Sequence, residues 1–109
     1  MNYKEKFLNP KWQKKRLEIL SRDKFTCQIC GSTEDTLHIH HKLYEYGKEP
    51  WQYDNDLLIT LCAGCHELEK ERMEIIISDI VFTLKRKFLA GELVDILHYI
   101  SQLKEKQNG

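Results

Sequence analysis

Hydrophobic and polar positions follow three rhythms along this chain. From Lys11 to about Arg22, Trp12, Arg16 (by its aliphatic stem), Ile19 and Leu20 share one stripe. Lys11, Lys14, Lys15 and Glu18 fall largely elsewhere, which is the spacing of a half-buried helix. Asn9-Pro10 supplies its start, because Asn caps and proline lacks only an N–H that a first turn leaves unused. Leu37 to His41 then switches to period two, with Leu37, Ile39 and His41 on one face and His38 and His40 on the other, a short strand. Leu57 to Leu61 predicts a second. From His66 onward Met73, Ile76, Ile77, Ile80, Val81, Leu84 and Phe88 recur at three- and four-residue steps, and Ala90-Gly91 is the expected break. Leu93, Ile96, Leu97, Ile100 and Leu103 continue as a last helix to about Lys106, with a frayed end at Gln107-Asn108-Gly109. This pair of helices reads as a hairpin packed on the preceding module, or as a face for a homodimer.

At 109 residues the chain makes one small domain, or one with an appendage, and its core must be thin. No apolar run follows the polar N-terminus and none reaches membrane-spanning length, so the expected setting is cytoplasmic and reducing, without a membrane. The net charge is zero, but it is unevenly spread. Residues 1–25 carry eight basic against three acidic side chains, and residues 26–70 carry three against eight. A basic front end of this kind suits phosphate contacts as well as it suits a solvated helix face.

The chemistry concentrates between Cys27 and His66. Cys27/Cys30 and Cys62/Cys65 are two C-x-x-C pairs, each able to turn both sulfurs toward one ion. In a reducing compartment, two such pairs favour a closed tetrahedral Zn2+ site over disulfides. Gly31 and Gly64 are expected to permit the tight turns of the two knuckles. His38, His40, His41 and His66 are surplus to that site. Between them lies a long loop, Lys42 to Asp56, with Tyr44, Tyr46, Trp51 and Tyr53. Trp12, Tyr44 and Trp51 read as packing rather than base-stacking residues, and His38 as an exposed strand residue.

The run C-Q-I-C-G, L-H-I-H-H, L-I-T-L-C-A-G-C-H resembles the HNH endonuclease family, and N-P-K-W-Q-K-K-R-L-E-I-L-S-R-D resembles the helix that precedes many of its zinc-containing members. The resemblance spans residues 9 to about 68. It implies a small α+β fold: a zinc-stabilised ββα-metal module with an N-terminal helix, here residues 1–68, followed by a C-terminal helical hairpin over 69–109. It implies structural Zn2+ on Cys27, Cys30, Cys62 and Cys65, and a catalytic Mg2+, Mn2+, Ni2+ or Zn2+ on His40 and His66. His41 would be the general base. Asn55 is the candidate for the middle letter of the motif, displaced by two residues, since the slot directly before Leu58 holds Leu57. Lys70 stands where colicin-type nucleases carry a further histidine.

The function so implied is metal-dependent hydrolysis of nucleic-acid phosphodiesters, with double-stranded DNA as the expected partner. Lys11, Lys14, Lys15 and Lys24 would hold the backbone without reading sequence. The alternative is a catalytically inactive zinc-stabilised module of the same fold that binds nucleic acid or a protein partner.

Overall fold

The computed structural model describes residues 2–103. Among these residues the fold is α+β, with four α-helices and a two-stranded antiparallel sheet. Two compact units divide it, Met1–Glu67 and Leu68–Gly109.

The first unit opens with α1 (Tyr3–Leu8), a helix that the apolar pattern of the sequence does not announce. Its start is fixed by a reciprocal cap: the Asn2 side chain accepts from the Glu5 N–H at 2.9 Å, and Glu5 accepts from the Asn2 N–H. Helix α2 (Pro10–Arg22) begins as expected, with the Asn9 side chain accepting from the Lys11 N–H at 2.8 Å. Strands β1 (Leu37–His41) and β2 (Leu58–Cys62) pair with Leu37 opposite Cys62, Ile39 opposite Thr60 and His41 opposite Leu58. The second strand therefore lies one residue later than expected. Period-two alternation gives the sheet two unlike faces. Ile39, His41 and Leu58 join Trp12, Ile19, Leu20 and Tyr53 in the core, with Phe7, Trp51 and Leu57 against its edge. Trp12 and Trp51 thus serve packing.

Asp23, the residue that ends α2, ties that helix to the sheet. Its side chain is almost wholly buried, accepts two hydrogen bonds from Arg22 at 2.9 and 3.0 Å, and accepts a third from the Thr60 N–H at 2.9 Å. Arg22 also donates to the Leu58 carbonyl. Beyond Asp23 the chain reverses through Lys24 and Phe25, both at positive φ (57° and 50°), a conformation that costs an L-residue some strain. Phe25 N–H donates to the Leu20 carbonyl at 2.8 Å, and the reversal delivers Cys27 to the sheet edge.

Helix α3 (Ala63–Lys87) starts directly after β2, three residues earlier than expected. Gly64 is therefore helical, whereas Gly31, at φ 80°, does form a turn. The second break also moves. Helix α3 ends at Lys87 and α4 (Ala90–Ser101) begins at Ala90, so the break is Phe88-Leu89 and Gly91 lies inside the helix. Glu92 sets that start by accepting from the Leu89 N–H at 3.0 Å. Helix α4 stops at Ser101, with Gln102 as its C-cap, so Gln102 and Leu103 do not continue it toward Lys106 as expected; Lys104–Gly109, including the expected frayed end, lie outside the described residues. No helix among the described residues is long and apolar enough to cross a membrane.

Candidate metal centre and the histidine face

The two knuckles meet at the Cys62 end of the hairpin. Cys27 is fixed by two backbone bonds, its N–H donating to the Ser32 carbonyl and its carbonyl accepting from the Gly31 N–H, each at 2.9 Å. Gln28 N–H donates to the Thr60 carbonyl at 3.0 Å, which stitches the first knuckle to β2. The second pair straddles the junction of β2 and α3, so the helix start turns Cys65 back toward Cys62, with the Cys65 N–H 3.4 Å from the Cys62 sulfur. All four sulfurs lie within 4.8 Å of one another, a group that could hold a metal ion. Cys27 and Cys62 are buried, packed with Leu61 and flanked by Leu37, Ile59 and Cys65.

The electrostatics of this group fit a cation. Burial pushes the Cys27 thiol up, but backbone hydrogen bonds from Cys30, Cys62 and Ile29 outweigh it and bring the value down to about 6. Cys65 moves the other way, pushed up to about 12, first by its hydrogen bond with Cys62 and then by burial. Cys30 also rises: the Ser32 backbone favours its thiolate, and the neighbouring Cys27 and Cys62 sulfurs outweigh that. One negative charge is easily held by the four sulfurs; four are not, unless a divalent ion neutralises them.

The histidines divide by strand parity. His38 and His40 project from the face opposite the α2 core, and the first turn of α3 brings His66 to them. The His66 ring stacks on His38 (centroids 5.3 Å, planes 11° apart) and meets His40 edge-on (5.3 Å, 75°). Two of the sequence-assigned ligands, His40 and His66, are therefore together. The third ring, His38, has the sequence signature of a plain exposed strand residue. Its shared parity with His40 was the available signal, but the approach of His66 depends on packing that spacing does not reveal.

His41 lies on the other side. Its ring is 3% exposed, sandwiched between Trp12 (5.4 Å, 24°) and Tyr44 (5.1 Å, 22°), with Tyr53 edge-on at 5.1 Å. His41 Nε2 sits 3.1 Å from the Pro50 carbonyl. A carbonyl can only accept, so Nε2 carries the proton of the neutral ring and Nδ1 keeps its lone pair. Burial holds this imidazole below its ordinary 6.5, against the upward pull of the Pro50 carbonyl. β1 pairs regularly through His41, so His40 and His41 do not converge. Tyr44, a packing residue of the loop as expected, is the outer cover of His41 and is itself 63% exposed.

Asn55 stands on the short 3-10 turn Asn55–Leu57 before β2, with its side chain exposed and its carbonyl bound by Arg22. Lys11 and Lys14 are exposed on α2, Lys15 is half-buried there, and exposed Lys24 follows in the left-handed reversal. Compared with known proteins, the chain matches no family model, no curated protein and no solved structure, so the assignment of chemistry rests on its own residues.

Proposed function

We propose that the first unit hydrolyses phosphodiester bonds of DNA at a divalent ion held by His40 and His66, on a hairpin braced by Zn2+ in the four-cysteine group. The carrying observation is the approach of the His40 and His66 rings to 5.3 Å, one from a strand and one from a helix start, on residues separate from the four sulfurs. Two imidazoles leave coordination positions for water and a phosphate oxygen, as a working ion requires. Mn2+, Ni2+ and Zn2+ suit imidazole better than Mg2+ does.

On this reading His41 is the general base. Its Nε2–H is engaged by Pro50, its Nδ1 is the basic atom, and its lowered pKa keeps it neutral at physiological pH. His41 faces away from His40 and His66, so it serves as base only when Tyr44 swings away and the end of β1 turns the ring toward the ion. Asn55, through the carbonyl that accepts from Arg22, would tie the loop between the strands to α2, and Lys11, Lys14, Lys15 and Lys24 would contact the phosphate backbone.

A second reading, a non-catalytic zinc module that binds nucleic acid or protein, is favoured by one observation: the burial of His41 on the face away from His40. Plasmid nicking separates the two. Zinc-loaded protein freed of weakly bound ions is supplied with Mg2+, Mn2+ or Ni2+, and wild type is compared with His40→Ala, His66→Ala and His41→Ala, each checked for folding by circular dichroism. Metal-dependent nicking that all three variants lose supports the nuclease. DNA binding without nicking under any ion supports the module, and undiminished nicking by folded His41→Ala removes His41 as the base.

A further inference from the structure

The second unit lacks a buried residue among those described in α3 and α4. Leu84, Phe88, Leu93 and Ile96, on either side of the turn between its two helices, are half-buried. Away from the turn, Met73, Ile76, Ile77, Ile80 and Val81 form a continuous apolar stripe on α3, each 43–50% exposed. An apolar stripe of three turns needs a cover, and the charges around it indicate which.

We infer that this stripe pairs with the same stripe of a second copy of the chain, antiparallel, across a two-fold axis between Ser78 and Asp79. That axis sets Met73 opposite Leu84 of the second copy and Ile77 opposite its Ile80, so the apolar positions are complementary to themselves, as an isologous interface demands. The flanking charges obey the same symmetry. Glu69 and Lys87 are eighteen residues apart, about five turns, and lie in line along one edge of the stripe. Glu74 and Lys85, eleven residues or about three turns apart, lie along the other. The two-fold brings Glu69 beside Lys87 of the other copy and Glu74 beside its Lys85, each pair occurring twice. None of these four takes part in an ion pair found among the described residues. A parallel pairing would instead put Lys85-Arg86-Lys87 against itself. The inference is independent of the chemistry proposed for the histidines.

The test is sedimentation equilibrium of the zinc-loaded full chain at low ionic strength. Wild type is expected at twice the 13.0 kDa chain mass. Glu69→Lys/Glu74→Lys and Lys85→Glu/Lys87→Glu are each expected to weaken self-association at least tenfold, because each makes the Glu69–Lys87 and Glu74–Lys85 pairs like-charged. Mixed in equal amounts, they should form a heterodimer, since each of these pairs is then opposite in sign. Glu74, Lys85 and Lys87 are exposed and Glu69 is half-buried, and circular dichroism checks each fold. A wild type of 13.0 kDa at all concentrations overturns the inference and leaves the stripe to a different partner; reversal variants that dimerise as well as wild type, or fail to pair with each other, overturn the antiparallel two-fold.

Discussion

His40 and His41 are consecutive in the chain and face opposite sides of one strand: the His40 ring meets His66, while the His41 ring stacks on Trp12. Their replacement should therefore have unlike effects on stability. His41→Ala removes a ring stacked on two sides and a hydrogen bond to Pro50, together about 2–3 kcal/mol. His40→Ala, at a half-buried position outside the core, is expected to stay within about 0.5 kcal/mol. Urea denaturation of both variants checks this, and equal losses would contradict the division of faces.

Tyr44 covers the outer face of His41, and burial is what lowers that imidazole. Tyr44→Ala should raise the His41 pKa toward 6.5 and speed its modification by an imidazole-directed reagent. An NMR titration of the ring proton reads the shift. An unchanged pKa would mean that Trp12 and Tyr53 alone set it.

The Asp23 carboxyl lies below its ordinary 3.8: burial raises it, and hydrogen bonds from Arg22 and Thr60 outweigh that. A carboxyl with a native value below its unfolded one stabilises fully above about pH 3.8, and that contribution fades as pH falls through the lowered value. Asp23→Asn is expected to cost about 2 kcal/mol at pH 7, within the range for hydrogen bonds to charged groups. Its stability should also fall less steeply than wild type below pH 4. Parallel acid profiles for the two proteins would contradict this role.

Much of this arrangement is legible in sequence because it is local. Asn9-Pro10 fixes the start of α2, alternation fixes Leu37–His41, and C-x-x-C spacing brings the sulfurs together. The inward turn of His41 follows from parity, given that Ile39 faces the core. What escapes depends on partners distant in the chain or on small polar choices. The Asn2–Glu5 cap makes a six-residue helix from a segment with little apolar pattern. Glu92 starts α4 early enough to draw Gly91 into it. The His38–His66 stack requires the β2–α3 junction to be placed first.

Removing the metal from the cysteine group should unfold the first unit. Its core is small, and a structural zinc site contributes on the order of 10 kcal/mol, comparable with the whole stability of a domain. Cys27→Ser, at a buried position of the cysteine group, is expected to lose the cooperative thermal transition that zinc-loaded wild type should show, as is wild type treated with a strong chelator. A sharp transition retained in metal-free protein would show that the apolar core suffices.

The most direct test counts ions. Zinc-loaded chain, with the sulfur group filled, is titrated with Ni2+ or Mn2+ in a calorimeter, alongside His40→Ala and His66→Ala. The account predicts one further ion per chain in wild type and at least tenfold weaker binding in either variant. No second ion in wild type, or equal binding by all three proteins, would contradict a working metal on the histidine face.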